Sequence, residues 1–174
     1  KRWEGFNNSA GGPGRVLPGG VVISASGARP PHQESLELIR RDFDGKDLWK
    51  FSRSEQITRE GNMVWSARQH HDWQLESFPA GYYSPESTPN ADSGNTLILT
   101  HTDRMQPKVA DVMLGDDRLI EVSPKGEIVW DWVASDHIDE LGFAPDARAA
   151  IKAARSFNKQ PGSYDWLHAN SSTY

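Results

Sequence analysis

One stretch of this sequence occurs twice, and that repetition limits what the chain can fold into more than any other feature. Residues 38–51, Leu-Ile-Arg-Arg-Asp-Phe-Asp-Gly-Lys-Asp-Leu-Trp-Lys-Phe, align without a gap on residues 119–132, Leu-Ile-Glu-Val-Ser-Pro-Lys-Gly-Glu-Ile-Val-Trp-Asp-Trp. Leu38, Ile39, Gly45 and Trp49 meet Leu119, Ile120, Gly126 and Trp130, and Phe51 meets Trp132. Each copy reads as a strand, a tight turn with glycine where a positive φ is needed, and a second strand ending in alternating aromatics. Upstream of each hairpin lies another apolar strand introduced by glycine, Gly20 to Ala25 and Gly94 to Thr100, and before those come shorter candidates at 14–17 and 68–75. The repeating unit is therefore four strands.

Four-stranded antiparallel units strung along a chain fit the blades of a β-propeller. The expected fold is all-β, a β-propeller fragment of about two four-stranded blades plus the first strand of a third, with a short helical insertion. The blades are expected at 14–52 and 68–133, the insertion at 134–164 and the start of the next blade at 165–174. The copies lie further apart than the roughly 40 to 45 residues of a compact blade, so loops are expected at 26–35, 76–93, 103–117 and 133–164. In the last, Ser135 is expected to cap a short turn, and Pro145 with Asp146 to start a helix over 147–157. The competing arrangement is a small β-sandwich with two fortuitously similar hairpins.

Composition narrows the function classes. Nineteen basic against 24 acidic residues give a net charge of −5, and no cluster of Lys and Arg exists to neutralise phosphates, which argues against a duplex nucleic-acid partner. No apolar run approaches the roughly 18 residues of a spanning helix. The absence of cysteine removes disulfides, thiolate catalysis and Cys-ligated zinc, and leaves the cellular compartment open. Lys1 is no start methionine, the first residues lack the features of a signal peptide, and the last ones read as a strand that stops, so the expectation is a piece of a longer chain.

Six histidines are present, at 32, 70, 71, 101, 137 and 168. In a propeller the innermost strand of each blade lines a central channel, and the strand scheme puts His70 or His71, and His168, on first strands, with His101 at the end of a second. On a strand, His168 and Asn170 share one face while Leu167 and Ala169 take the other. An imidazole and a carboxamide aimed together into a polar channel can bind an anion, although an isolated His-x-Asn reads first as side chains that satisfy backbone groups at a strand end. His70-His71-Asp72 has three readings: a metal site, a histidine oriented by a carboxylate, or a solvated strand. Strict alternation would let only one of the adjacent histidines face the site. Trp49, Trp65, Trp130 and Trp132, assigned to outer strands, read as packing between blades. His137, Asp136 and Asp139 read as loop residues. Asn7-Asn-Ser and Asn170-Ser-Ser match the glycosylation pattern weakly.

Taken together, Asp165-Trp-Leu-His-Ala-Asn-Ser, His70-His71-Asp72, the strand from Gly94 to His101 and the hairpin at 119–132 resemble the bacterial arylsulfotransferase (aryl-sulfate sulfotransferase) family. The Asp-Trp-x-His-x-Asn-Ser stretch is the most specific of these. The resemblance implies a six-bladed propeller, of which this chain covers a part. It also implies transfer of a sulfuryl group from an aryl sulfate donor to a phenolic acceptor through a sulfated histidine, with no nucleotide donor, cofactor or metal. It places His168 and Asn170 in the cluster that holds the sulfate, joined by one of His70 and His71, with His71 preferred. The family's nucleophilic histidine and its arginine belong to later blades, so this stretch alone is expected to be catalytically incomplete, with the rest of the same propeller as its partner. The resemblance further implies a periplasmic or secreted protein. Two other functions compete: a non-catalytic propeller that binds a partner, and a quinone-dependent dehydrogenase-like propeller. The second expects Gly-Lys-x-x-x-Trp turns in nearly every blade, which Gly45 to Trp49 satisfies and Gly126 to Trp130 does not.

Overall fold

A computed structural model describes residues 14–29, 34–77, 93–153 and 162–174. The fold is all-β, with one short α-helix among the described residues. Strands β1 (Arg15–Leu17), β2 (Val21–Arg29), β3 (Glu34–Arg41) and β4 (Asp47–Phe51) form an antiparallel meander. A second meander is built from β7 (Gln69–Leu75), β8 (Thr96–Gln106), β9 (Ala110–Val122) and β10 (Ile128–Val133). Among the described residues, the pair Ser35 and Gln69 joins the two ladders, between β3 and β7.

The repeat has a common local cause. In the first copy the Asp42 and Gly45 amides donate to the carbonyls of Lys46 and Asp42 (both 3.0 Å), and in the second the Ser123 and Gly126 amides donate to those of Glu127 and Ser123 (2.8 and 2.9 Å). The side chain at the first position also accepts in both, Asp42 from the Lys46 amide and Ser123 from the Glu127 amide. Gly45 and Gly126 have φ of 91° and 83°. No atom lies within 4 Å of where a Cβ would stand at either, so backbone conformation alone demands glycine.

The meanders share one core, in which Ile23, Leu38 and Phe51 of the first meet Trp73, Ile98 and Ile120 of the second. Trp49 packs on this core, stacked on Phe51 at 6.1 Å. A second core gathers Val109, Leu114, Ala134, Ile138, Tyr164 and Trp166, with Trp132 against it.

Several expectations are corrected here. Residues 103–117 form no loop: β8 and β9 continue as a ribbon from His101↔Asp117 to Met105↔Met113. The spacing of the repeat copies suggested a loop, but the extra residues extend the two strands, and Arg104 makes two 2.8 Å hydrogen bonds to Asp136 of the following segment. An unforeseen hairpin, β5 (Glu55–Arg59) and β6 (Asn62–Ser66), stands as its own sheet, turning at Glu60 and Gly61 with φ of 51° and 80°. Trp65 lies on that hairpin and is 42% exposed, with the Arg53 guanidinium 5.1 Å from its ring, and Trp130 is exposed too; neither is a buried packing residue. The helical segment holds a 3₁₀ turn (Ala134–His137), which Val133 precedes without a side-chain cap, and α1 (Pro145–Ala153). The rest of the expected helix lies outside the described residues, as do His32 and the Asn7 motif.

The last strand departs most from expectation. Only β11 (Tyr164–Asp165) is a strand, running parallel to β9 through Tyr164↔Leu114 and Asp165↔Gly115. Residues 166–174 have no ladder, because their polar groups go to buried carboxylates instead. Trp166 Nε1 donates to Asp116 (2.8 Å), the Ala169 amide to Asp117 (2.9 Å) and the Ser172 amide to Asp72 (3.0 Å).

Candidate functional site

β7 is irregular where it carries its histidines. Its register against β8 jumps from Gln69↔Thr100 to Trp73↔Ile98, so four steps on β7 face two on β8. This is a β-bulge, and it breaks the alternation of side chains. His71 takes a left-handed φ of 49°, as Arg68 does at 47°. Such conformations cost about 1 kcal/mol or more in a non-glycine residue and persist where surrounding contacts enforce them. The strict two-face expectation for the adjacent histidines is therefore overturned: both reach one cluster, with ring centroids 5.4 Å apart.

His168 reaches the same place from the other end of the chain. Its φ is 55°, outside any strand, and its ring lies 4.9 Å from that of His71. The two Nε2 atoms are 3.0 Å apart, and His168 Nδ1 lies 2.5 Å from Oδ2 of Asp165. His101, in the middle of β8 rather than at its end, completes the group by stacking on His70 at 3.7 Å. Asn170 does not join. It is exposed, and its amide donates to the His168 carbonyl (3.2 Å), because the segment that carries it has no strand periodicity.

Each of three histidines faces a carboxylate from a different element. His101 Nδ1 lies 3.1 Å from Glu34 of β3, His70 Nε2 lies 3.1 Å from Oδ1 of Asp117 of β9, and His168 faces Asp165 of β11. Asp72, the sequence neighbour, serves elsewhere, accepting from Arg15 (2.5 Å) and from the Ser172 amide. The Asp165–His168 spacing lay within the Asp-Trp-x-His stretch; Glu34 and Asp117 had no local signal.

Electrostatics follow the burial. Burial pushes His70 below its ordinary pKa, against the pull of Asp117, and the His101 charge adds to the lowering. His71 is lowered first by burial and then by His168. Burial would raise Asp117, but the His70 contact, the histidine charges and the Ala169 amide together hold it below the carboxylate range.

His70, His101 and Asp117 offer ligand atoms within 4.8 Å of one another. The two rings are nearly parallel, 12° apart, so their in-plane lone pairs do not converge. An ion at about 2.0–2.1 Å from both nitrogens would sit well out of each ring plane, a poor fit to imidazole ligation.

A paired, partly exposed set of imidazoles beside buried carboxylates suits an anion whose charge is spread over several oxygens. The family model for arylsulfotransferase (ASST) matches residues 73–174, more than half of the chain. The chain belongs to the arylsulfotransferase family. The matched span includes His101, Asp117, Asp165, His168 and Asn170, while His70 and His71 lie just before it. Family membership supports a sulfotransferase-like function, with an aryl sulfate and a phenol as the substrates it suggests. No curated protein and no solved structure matches the chain. Among the described residues, no helix is long and apolar enough to cross a membrane.

Proposed function

We propose that the chain forms part of an arylsulfotransferase propeller, in which the two meanders are neighbouring blades and His71 and His168 bind the sulfuryl group. The 3.0 Å approach of their Nε2 atoms carries this reading. In a neutral pair only one of the two nitrogens can hold the proton between them. A further proton lets both donate, to neighbouring oxygens of one sulfate, so binding the anion takes up a proton. His168 is half exposed and His71 partly so, which leaves the pair open to a ligand. Asn170 enters only by steadying the His168 carbonyl.

The reaction balances in two transfers. A histidine nitrogen attacks sulfur as the S–O bond to the aryl group breaks and the phenolate leaves. The acceptor oxygen then attacks sulfur, the S–N bond breaks, a new ester forms and the acceptor's proton is released to a base. Donors around the sulfuryl oxygens stabilise the charge that builds there. The family resemblance assigns the nucleophilic histidine and an arginine to other blades, so residues 1–174 alone are inactive in this reading, and it puts the whole protein in the periplasm or outside the cell.

The test is turnover of a chromogenic phenyl sulfate by the full-length protein. His168→Ala is expected to lower kcat by about a hundredfold or more, the scale of losing an oxyanion donor, with the unfolding transition unchanged. A soluble His168→Ala protein of undiminished activity would overturn the proposal.

A further inference from the structure

The two histidines assigned to the sulfuryl group sit on segments far apart in the chain, and neither is held by regular structure. His71 lies in a bulge and His168 in a segment without a ladder. One buried side chain touches the neighbour of each. Asp117, 2% exposed, accepts the amide of Ala169, the residue after His168, on Oδ2 at 2.9 Å. Its Oδ1 lies 3.1 Å from Nε2 of His70, the residue before His71, and 3.6 Å from Nε2 of His101, its cross-strand neighbour.

We propose that Asp117 is the positioning residue of this site: one oxygen sets the ring state of His70 and the other places the His168 segment, so the two donors meet. The ring-state half follows from where the nearest charge lies. His70 is 2% exposed, and neither of its ring nitrogens makes a hydrogen bond of full geometry among the described residues. The charged oxygen nearest its ring is that of Asp117 beside Nε2, and an ionised carboxylate only accepts. A bare Nε2 would set its lone pair against that oxygen at 3.1 Å, whereas an Nε2–H is attracted to it, so the neutral ring carries its proton on Nε2. Stacking on His101 keeps the ring flat in that slot. The depression of the Asp117 pKa agrees with a carboxylate that stays ionised. The catalytic consequence rests on the sulfotransferase reading; the ring state does not.

Two measurements on the full-length protein test this. Long-range ¹H–¹⁵N correlation spectra of the histidine-labelled wild type are expected to show His70 as the Nε2–H tautomer. An Nδ1–H tautomer would overturn the assignment, whatever any variant does. Asp117→Asn keeps the shape but turns an N–H₂ toward His70 if its oxygen stays on Ala169. His70 is then expected to switch to Nδ1–H, and kcat for phenyl sulfate to fall about ten- to a hundredfold, the usual cost of removing an outer support. A switched tautomer with unchanged kcat would refute the positioning role. If His168→Ala proves silent while the His70 tautomer is as expected, the sulfotransferase reading fails and the ring-state assignment stands.

Discussion

Arg68 and His70 stand two residues apart on the same stretch of chain, both buried, and they meet opposite fates. The Arg68 guanidinium, 1% exposed, makes four hydrogen bonds to carboxylates. It donates to both oxygens of Glu34 (3.0 and 2.8 Å), to Glu55 (2.6 Å) and to Asp103 (2.9 Å). His70 has a stacked neighbour and one carboxylate nearby, but no hydrogen bond at either ring nitrogen among the described residues. Glu34 links the two regions, since it also faces His101. Buried polar groups are nearly always satisfied, and the exceptions tend to sit where chemistry is done. The arginine hub, just before β7, ties β3, β5 and β8 together, whereas the histidine group next to it keeps ring nitrogens without a hydrogen bond among the described residues.

The sharpest way to break this contrast is to remove Arg68. Arg68→Ala leaves Glu34 charged and buried, and breaking such a network by one member costs about 3–5 kcal/mol. Urea unfolding of the full-length protein is expected to show a loss of that size. A loss below about 1 kcal/mol, the range of exposed ion pairs, would mean that the hub and the histidine group do not differ in kind.

The two regions are also expected to respond to acid in separate windows. His70 is held below its ordinary pKa by burial, so the unfolded chain binds its proton first. The stability tied to the neutral ring is complete above about pH 6.5 and falls below it, by at most about 1.4 kcal/mol per pH unit. For Glu34, burial works upward, but the bonds from His101 and Arg68 outweigh it and hold the carboxyl far below the usual range. Its contribution is whole above about pH 4.3 and is lost only as pH falls further. Stability measured from pH 8 to 3 should therefore bend twice. His70→Gln should flatten the upper bend and Glu34→Gln the lower; a single bend that neither variant alters would refute the separation.

The smallest effect is expected at Arg104 and Asp136. Their two hydrogen bonds have good geometry, but both side chains are substantially exposed. Arg104→Ala should cost no more than about 1 kcal/mol and fade in salt, since solvent screens such pairs. A cost approaching that of Arg68→Ala would show that satisfied hydrogen bonds, rather than burial, set the energy of the hub.

The repeated hairpins were legible because their turns close locally. Asp42 with Gly45, and Ser123 with Gly126, form the same hydrogen bonds within five residues. The ribbon of β8 and β9 was not legible because repeat spacing shows only that residues are inserted, and its supports come from elsewhere in the chain, as Asp136 supports Arg104. Both members of the His70–His71 pair belong to the cluster because a bulge, a defect of pairing with β8, cancels the alternation that a lone strand would impose.

The sequence by itself determined the strand units, their glycine turns and a histidine motif close to its own aspartate, because each depends on interactions within a few residues. Only the tertiary structure decided that His70, His71, His101 and His168 meet, that Asn170 does not, and that Glu34 and Asp117 face the rings. Those contacts join side chains up to about a hundred residues apart. Their energy depends on burial and on which backbone amides need an acceptor, and neither quantity exists until the strands have paired.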